Sequence, residues 1–359
     1  MSINRIAIIG LGLIGGSFAK AIKHPDANIF IAAFDKPEVT DRALSEKVID
    51  KKLNSANEAL EYELIILALP IKHSLKLFLE LAPELKEHQI ISDLCSVKGI
   101  FSDEWKNINS NGFYIGAHPM TGKEKSGYEH SDPLLYENSV YIVNNENTGS
   151  EKFNDYINLV KLTGARIVLL DPHLHDKITA RVSHLPQLLS VMLVNLAAKK
   201  ECEISQLDFA AGGFRDMTRI ASSDYKIWES IIHYNKKEIL ETLSSFQKQI
   251  ASLKEIVKAG YHNLLSEQFE NARLARNEIP INNKGFIDPL FDITVFVKDE
   301  PGMISRISTV LFENSINIKD IELLKIREGT GGNFKFYFES ESDASRAKQL
   351  IEHLGFVIG

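Results

Sequence analysis

Residues 5–15 read Arg-Ile-Ala-Ile-Ile-Gly-Leu-Gly-Leu-Ile-Gly and decide the fold of the N-terminal part of the chain. The apolar run ends in glycine, which predicts a buried strand of a parallel sheet. Gly10, Gly12 and Gly15 form the pattern GxGxxG just before a predicted helix. Glycines in this arrangement allow a tight turn and let the backbone approach a pyrophosphate. We therefore expect a dinucleotide site here, with a purely structural turn as the alternative.

Further apolar runs extend this first strand into a sheet. They lie at 29–35, 64–70, 90–94, 114–118, 140–144 and 166–170, with helical patterns between them, notably at 74–82 and 152–163. Alternating strands and helices predict an α/β fold with a doubly wound parallel sheet of the Rossmann type. We assign this domain to residues 1–172.

The next part, residues 173–280, is predicted to be all-helical. Its two helical stretches are 174–200 and 225–259. Apolar residues in the second recur at intervals of four and three, which predicts one continuous apolar stripe. The stripe consists of Ile239, Leu243, Phe246, Ile250, Leu253 and Val257. It either packs within its own domain or forms a subunit interface, and we favour the interface.

Residues 281–289 are predicted to be a linker, and residues 290–359 a small domain with strands and helices in the order βαββα. A final strand would be very short, because the sequence given stops at Gly359.

Length and composition limit the possible functions. The chain has 359 residues, enough for two or three domains at roughly 100–200 residues each. A net charge of −7 argues against non-specific binding of nucleic acid. No stretch is apolar enough to span a membrane, and we expect no signal peptide. Cys95 and Cys202 form no disulfide framework, so we expect a cytoplasmic protein.

The predicted cofactor is NAD. Asp35 ends the second predicted strand, 25 residues after Gly10, where a carboxylate accepts hydrogen bonds from ribose hydroxyls and repels a 2′-phosphate. Lys36 beside it is the feature that would favour NADP. The predicted cofactor contacts are Gly10, Leu11, Gly12, Leu13, Ile14, Gly15, Asp35, Leu69, Pro70, Ser96 and Val97. No metal-ligand spacing is present in the sequence, and we expect no metal.

Two polar residues near predicted strand ends are candidates for chemistry. Oxidation of an alcohol needs a group that accepts the hydroxyl proton, and histidine has a suitable pKa. His118 ends the predicted strand 114–118, and Ser96 follows the strand 90–94. Reacting groups gather beyond the carboxyl ends of such strands. The alternative is a surface histidine in a loop.

A second candidate cluster lies at 212–221, where two glycines precede two arginines. In a helix, Arg215 and Arg219 would share a face, and Asp216 would hold the Arg219 guanidinium. Arginine binds carboxylates through two parallel hydrogen bonds, which favours an anion pocket. A solvated helix face is the alternative.

Several ordered motifs together resemble the prephenate and arogenate dehydrogenases of tyrosine biosynthesis. The motifs are Gly10-Leu11-Gly12-Leu13-Ile14-Gly15-Gly16-Ser17, Asp93-Leu94-Cys95-Ser96-Val97-Lys98, Gly116-Ala117-His118-Pro119-Met120, Gly122-Lys123-Glu124-Lys125-Ser126-Gly127, Ser183-His184-Leu185-Pro186, and the run from Gly212 to Ala221. Trp228 stands where the family has its tryptophan. The resemblance covers about residues 10–230 and is far more specific than GxGxxG alone.

The resemblance implies an activity and roles for the residues. Hydride passes from prephenate to NAD while the ring carboxylate leaves as carbon dioxide and the ring becomes aromatic. His118 would accept the ring-hydroxyl proton, Ser96 would orient that hydroxyl, and Arg219 would bind a substrate carboxylate with support from Asp216. The other substrate contacts would be Gly212, His184, Gln187, Glu124, Lys125, Ser126 and Trp228. The helical domain would form a homodimer.

One position departs from the family pattern. Many prephenate-specific members have histidine directly after Ser-His-Leu-Pro, whereas this chain has Gln187. A neutral amide still donates a hydrogen bond to a carboxylate but carries no charge. We favour prephenate as the substrate, with arogenate or dual specificity as the alternative.

The C-terminal domain resembles an ACT domain, which implies a βαββαβ fold and control by L-tyrosine. The matching residues include Asp299, Pro301, Gly302, Met303, Ile304 and Asn317. A structural dimerisation module is the alternative.

Two other functions compete with the dehydrogenase prediction for the whole chain. A β-hydroxyacid dehydrogenase needs a lysine as proton carrier on a helix of the second domain, and no such motif stands out. A non-catalytic sensor of NAD and amino acids predicts loss of the base or of the carboxylate anchor, yet His118 and Arg219 are both present.

Overall fold

A computed structural model describes residues 3–23, 28–123, 125–199, 205–278, 290–327 and 329–358. The chain divides into two compact units, Met1–Arg273 and Leu274–Gly359. The predicted linker 281–289 lies outside the described residues. No helix within the described ranges is long and apolar enough to cross a membrane.

Over its described residues, the first unit begins with a six-stranded parallel sheet. Its strands are β1 (Arg5–Ile9), β2 (Phe30–Phe34), β3 (Lys51–Lys52), β4 (Leu64–Leu67), β5 (Ile90–Asp93) and β6 (Phe113–Tyr114). They pair in the order β3-β2-β1-β4-β5-β6. The strand order reverses between β1 and β4, and a crevice opens at such a point beyond the carboxyl ends of the strands. The short strand β3 was not predicted.

Helices and loops cover both faces of this sheet. The helices are α1 (Leu13–Ile22), α2 (Pro37–Ser45), α3 (Ile71–Leu81), α4 (Gly99–Asn107) and α5 (Glu151–Lys161). Ile6 and Ile8 of β1 belong to one buried cluster, and Ala7 and Ile9 belong to another. Because successive side chains of a strand point to opposite faces, both faces of β1 are buried. Burial on both faces explains the continuous apolar run that predicted the strand.

A second sheet of three strands follows in the described chain, so the predicted strands 140–144 and 166–170 form but do not extend the parallel sheet as expected. It contains β7 (Ala117–Pro119), β8 (Val140–Asn144) and β9 (Arg166–Leu170), with β7 antiparallel to β8 and β8 parallel to β9. The prediction of one strand over 114–118 was therefore wrong, because the chain leaves β6 and enters β7 of the other sheet. Gly116 lies at this step, where a side chain would collide with the Tyr114 hydroxyl and the Asn144 amide. Glycine allows the crowded passage between the sheets.

The helical region of the first unit contains the predicted helices with two interruptions. Its helices are α6 (Pro172–Thr179), α7 (Leu185–Ala197), α8 (Gly212–Thr218), α9 (Tyr225–Tyr234), α10 (Lys236–Ala259) and α11 (His262–Glu278), of which the residues after Arg273 are assigned to the second unit. A wide π-helical turn, Ala180–His184, separates α6 from α7. Pro186 has no N–H for the carbonyl of Val182 and would crowd it in an uninterrupted α-helix. The wide turn removes this conflict, so the predicted helical stretch 174–200 is helical from Pro172 to Ala197 with one π-helical turn inside it.

The predicted helix 225–259 is also divided. Asn235 has φ −108° and ψ 24°, which ends α9 and precedes α10. The Asn235 side chain is buried and donates a hydrogen bond to the Asp176 carbonyl oxygen at 2.9 Å. This contact ties the break to α6. Gly260 ends α10 in the left-handed conformation, as its sequence position predicts.

The described part of the second unit is an antiparallel sheet with two helices. Its elements are β10 (Phe291–Lys298), α12 (Met303–Glu313), β11 (Asp320–Arg327), β12 (Gly331–Phe338), α13 (Glu341–His353) and β13 (Val357–Ile358). The sheet order is β11-β12-β10-β13. Residues of both helices and the sheet form one buried apolar cluster. The last strand has two residues, as expected.

Candidate functional site

The glycine-rich loop joins β1 to α1 at the crevice in the sheet. Gly10 has φ +98°, and a Cβ atom there would lie 2.6 Å from the Ala68 carbonyl oxygen. A side chain at Gly15 would overlap the Gly10 carbonyl oxygen. Gly12 precedes α1, and no side chain caps the first turn. The loop therefore offers backbone N–H groups and the positive end of a helix to an anion.

Asp35 follows β2 beside this loop. Its Oδ2 accepts a hydrogen bond from the Leu11 backbone N–H at 2.6 Å, and its Oδ1 accepts one from the Lys36 N–H at 2.6 Å. A surface pocket of about 640 Å³ adjoins it and is also lined by Leu69. The carboxylate is thus fixed next to the loop and keeps lone pairs for a ribose, as the NAD prediction requires.

The other predicted cofactor residues lie at neighbouring positions. Leu69 and Pro70 follow β4, and Ser96 and Val97 follow β5, which pairs with β4. Leu13 and Ile14 form the half-buried first turn of α1. Ser96 is half-buried, and its hydroxyl makes no hydrogen bond to any described residue. All of these residues lie at the carboxyl edge of the parallel sheet.

His118 lies in the middle of β7, opposite Ile142 of β8. It is half-buried, and its Nδ1 is 2.8 Å from Nε2 of His175 in α6. Burial lowers the pKa of His118 well below its ordinary value, and the neighbouring His175 ring and Lys98 ammonium lower it further. A neutral imidazole at neutral pH is therefore available as a proton acceptor.

His175 connects His118 to the loop after β5. Its Nδ1 is 2.7 Å from Oδ1 of Asp176. The same carboxylate accepts hydrogen bonds from the backbone N–H groups of Lys98 and Gly99, both at 2.8 Å. A Cβ atom on Gly99 would lie 2.8 Å from the Asp176 Oδ2. Glycine at 99 thus permits the close approach of α6 to the start of α4.

Lys98, whose backbone N–H bonds to Asp176, also takes part in a buried ion pair. The Lys98 ammonium pairs with the Asp93 carboxylate, and both side chains are fully buried. The Tyr114 hydroxyl donates a hydrogen bond to Asp93 at 2.9 Å, and the Cys95 N–H donates another at 3.0 Å. Each charge is compensated, which is the condition under which buried ions are tolerated.

His184 ends the π-helical turn and shares a contact with Asp176, since the Asn235 side-chain nitrogen bonds to both residues. Its Nδ1 is 3.2 Å from the Asn235 side-chain nitrogen, and its ring packs edge-on against Trp228 at 5.9 Å between centroids. Burial is the main cause that lowers the pKa of His184 to about 4. A neutral ring beside an aromatic wall suits a substrate that carries an unsaturated ring.

Gln187 is buried in the first turn of α7, where its side-chain nitrogen donates a hydrogen bond to the Ile220 carbonyl oxygen at 3.0 Å. This bond uses one of the two amide donors that we expected to serve a substrate carboxylate. Ile220 directly follows Arg219. Gln187 therefore connects α7 to the segment that carries the predicted carboxylate anchor.

Arg219 begins a short 3₁₀ segment, Arg219–Ser222, directly after α8. Arg219, Asp216 and Gly212 are exposed to solvent. No ion pair joins Asp216 to Arg219 in the described part of the chain. Thr218, which lies between them, has φ −105° and ψ 2°, so the α-helix ends before Arg219 and the three-residue helical spacing on which that expected contact depends is lost.

The predicted covering loop is described in part. Lys125 and Ser126 are exposed, and Lys125 lines a surface pocket of about 520 Å³ together with Asp132 and Pro133. Glu124 lies outside the described residues.

In the second unit, a pocket of about 370 Å³ lies between β10, α12 and β12. It is lined by Val297, Lys298, Asp299, Glu300, Gly302, Met303, Ile304, Ser305, Gly331, Gly332 and Phe334. Four of the predicted regulatory residues are among these, whereas Pro301 and Asn317 are not. Gly302 has φ +84° and begins α12 with no side chain as a cap. The helix start thus offers backbone N–H groups at the rim of the pocket.

Sequence reasoning missed His175, Asp176, Lys98 and Asn235 as parts of the first site. Lys98 stood within a quoted motif but received no role. The other three carry no local motif, because apart from the adjacent His175–Asp176 contact their partners are 50 or more residues away along the chain. The available signal was the dipeptide His175-Asp176 in a predicted helix of a domain that was expected to bind substrate.

Three protein-family models match most of the chain. Residues 18–169 match the nucleotide-binding domain of prephenate dehydrogenase, and residues 171–271 match its dimerization domain. Residues 291–355 match the ACT domain. These matches confirm the predicted family, the fold class and the class of dehydrogenase.

Two relatives of known name align with this chain over nearly its whole length. The prephenate dehydrogenase of Bacillus subtilis is 35% identical over 97% of this chain and 95% of its own. That of Lactococcus lactis is 34% identical over 97% of both chains. A crystal structure of Aquifex aeolicus prephenate dehydrogenase with hydroxyphenyl propionate and NAD+ has a TM-score of 0.71 and 28% identity, over 78% of this chain and 99% of that one. The chain belongs to the prephenate dehydrogenase family.

Proposed function

We propose that this chain converts prephenate and NAD into 4-hydroxyphenylpyruvate, carbon dioxide and NADH, and so serves L-tyrosine biosynthesis in the cytoplasm. The observation that carries the proposal is a neutral, half-buried imidazole, His118, linked through His175 and Asp176 to the loop that contains Ser96. That loop follows β5 at the carboxyl edge of the sheet, next to the strands that position the phosphate loop. A base and a dinucleotide site therefore share one edge.

The residues at this edge fit NAD. Gly10 and Gly15 leave no room for side chains where the backbone would meet a pyrophosphate, and Asp35 is held in place to accept hydrogen bonds from a ribose. When bound, the nicotinamide accepts the hydride that leaves the substrate. Asp35 would also repel the 2′-phosphate of NADP, so we favour NAD despite the adjacent Lys36.

His118 and Ser96 act on the ring hydroxyl of the substrate. Ser96 donates to or accepts from this hydroxyl and orients it. His118 takes the hydroxyl proton as hydride leaves the same carbon, and the oxygen becomes a carbonyl. The bond to the ring carboxylate then breaks, its electrons aromatise the ring, and the phenolate oxygen recovers its proton from His118. The protein must orient the substrate and move one proton, while aromatisation supplies the driving force.

The helical region supplies the substrate contacts. Arg219 binds a substrate carboxylate, and Gln187 holds its segment against α7 through the Ile220 carbonyl. His184 and Trp228 form a wall for the ring. Gly212, Asp216 and the loop that contains Glu124, Lys125 and Ser126 complete the proposed contacts.

The choice between prephenate and arogenate rests on Gln187. Its amide nitrogen already donates to a backbone carbonyl. Its oxygen is an acceptor, which suits the ammonium group of arogenate better than the pyruvyl carboxylate of prephenate. The family matches favour prephenate, so arogenate stays the second candidate.

Assembly and regulation complete the proposal. Ile239 of the apolar stripe is buried, but Ile250, Leu253 and Val257 are 51%, 42% and 60% exposed in the single chain. A homodimer formed through α10 would cover them. In the second unit, the uncapped start of α12 suits the carboxylate of an amino acid. We propose L-tyrosine as the effector bound there.

The direct test measures NADH formation with prephenate and, separately, with arogenate, each with and without L-tyrosine. Turnover of prephenate is expected, and suppression by L-tyrosine is expected if the ACT domain binds it. Turnover of arogenate alone would transfer the assignment to the second candidate. Failure with both substrates while NAD still binds would overturn the dehydrogenase proposal.

Replacing Arg219 with alanine should mainly weaken substrate binding. Loss of a hydrogen bond to a charged group costs about 1.5–3 kcal/mol, so we expect KM to rise by about 10-fold to 100-fold while kcat changes little. Arg215→Ala, one turn earlier in α8 and also exposed, is the matched control and should leave KM unchanged. An equal effect of the two substitutions would argue against a specific carboxylate anchor.

A further inference from the structure

His118 is backed by a chain of buried groups that gives its ring a defined orientation. Its Nδ1 lies 2.8 Å from Nε2 of His175, whose Nδ1 lies 2.7 Å from Oδ1 of Asp176. The two imidazole rings meet edge-on, at 73° and 5.0 Å between centroids. His175 has no exposed surface, so solvent does not compete for these contacts.

The Asp176 carboxylate, at the end of this series of contacts, determines the direction of each hydrogen bond. The Asp176 carboxylate accepts from the backbone N–H groups of Lys98 and Gly99, and an ionised carboxylate can only accept. His175 Nδ1 must therefore carry a hydrogen. In a neutral ring Nε2 is then bare and accepts, so His118 Nδ1 must be the donor. This leaves the lone pair of His118 on Nε2.

Both rings are neutral in the resting protein. Burial lowers the pKa of His175, an effect that Asp176 opposes and Lys98 reinforces. Burial also lowers the pKa of His118, and His175, Lys98 and His184 add to the decrease. The charged groups that act on the pair are thus Asp176 from α6, and Lys98 and Asp93 from the β5–α4 segment.

We propose that His175, with Asp176 behind it, is a positioning residue that holds His118 in the Nδ1–H tautomer, so that Nε2 is the nitrogen that accepts the substrate proton. The inference rests on the proposed function. It assigns a role to a residue that does not touch the substrate. Once His118 is protonated, the same two hydrogen bonds connect the imidazolium to the Asp176 carboxylate and stabilise its charge.

The first test is the tautomer itself. Long-range ¹H–¹⁵N correlation spectra of the full-length protein, with labelled histidine, distinguish Nδ1–H from Nε2–H rings without any substrate. We expect Nδ1–H for His118 in the wild type and loss of this preference in His175→Phe. An Nε2–H ring in the wild type, or an unchanged tautomer in His175→Phe, would overturn the inference.

The second test is kinetic. His175→Phe keeps an aromatic ring but removes Nε2, the acceptor for His118. We expect kcat to fall by about 10-fold to 100-fold, which is part of what a general base contributes, while KM stays nearly unchanged. His175→Gln places an amide oxygen within reach of His118 and should recover much of the loss. His173→Phe, on the same helix with an exposed side chain, is the control and should behave as wild type. Wild-type turnover in His175→Phe would contradict the positioning role.

The two proposals fail in different ways. If neither prephenate nor arogenate is turned over, the proposed function fails while the spectra still report the tautomer. If His175→Phe does not fold, the wild-type spectrum and His175→Gln still decide the question. A rise of KM without a fall of kcat in His175→Gln would indicate a substrate contact and overturn the positioning role.

Discussion

Replacing His118 with asparagine is expected to lower kcat by about 10²-fold to 10⁴-fold, the range that a general base contributes. The asparagine amide can still donate toward His175 from the position of Nδ1, but it has no second nitrogen to accept the substrate proton. Binding of NAD and the melting temperature should stay close to wild type, since the glycine-rich loop is unchanged. Turnover within a few-fold of wild type would show that another group is the base.

The pH profile offers an independent measure of the same residue. Because the pKa of His118 lies well below its ordinary value of 6.5, its imidazole stays neutral as the pH falls toward that value. We therefore expect the wild-type kcat to be flat from pH 8 to about 6.5 and to fall only in more acidic solution. An acidic limb centred at or above pH 6.5 would contradict the assignment of the depressed group as the base.

Replacing Lys98 with methionine should cause the largest loss of stability among these substitutions. Removal of one partner of a buried ion pair costs about 3–5 kcal/mol, because the other charge stays buried. Here Asp93 would keep only the hydrogen bonds from Tyr114 and the Cys95 N–H. Urea unfolding of the full chain, followed by circular dichroism, measures the free energy of unfolding.

Two further variants test that explanation. Lys98→Met combined with Asp93→Asn removes both charges and should recover most of the lost free energy. The asparagine oxygen can still accept from the Cys95 N–H, and its amide nitrogen can donate to the oxygen of the Tyr114 hydroxyl, which rotates to accept. Lys76→Met breaks an exposed pair with Glu80 and should cost less than about 1 kcal/mol. A double variant as unstable as Lys98→Met alone would show that packing, not charge, dominates.

The parallel sheet could be predicted from sequence because its signals are local. The apolar runs of β1, β2 and β4 and the spacing of Gly10, Gly12 and Gly15 are complete within short windows. The break at Gly116 was not visible in the same way, since the reason for it is crowding by Tyr114 and Asn144 from two different sheets. A run of strand-forming residues does not reveal that its two ends belong to different sheets.

The interruptions of the long helices have a similar origin. At Asn235 the helical periodicity continues on both sides, and the break is stabilised by hydrogen bonds to Asp176 and His184, which lie 59 and 51 residues away. Pro186 was a local signal for the interruption near His184, but a wide turn within a continuing helix is not what proline alone predicts.

The candidate site likewise contains residues that stand in local motifs and residues that only the fold brings to them. His118, Ser96 and Arg219 stand in recognisable motifs, so the sequence alone singles them out as candidates. Their support could not, because it depends on residues that only folding brings together. The expected ion pair between Asp216 and Arg219 depended on an uninterrupted helix, whereas α8 ends at Thr218.

The contact between Asp176 and the start of α4 has a consequence for mutational tolerance. On the β5–α4 side the donors are main-chain N–H groups at positions 98 and 99, so no side-chain replacement there removes them except proline, which lacks the N–H. Position 99 is restricted for a second reason, since any side chain would crowd the Asp176 carboxylate. In a saturation scan, Asp176 should tolerate few residues and position 99 should retain glycine. The anchor of the His118–His175 pair would thus be protected from most single substitutions on the side of positions 98 and 99, and open to loss by nearly any substitution at Asp176.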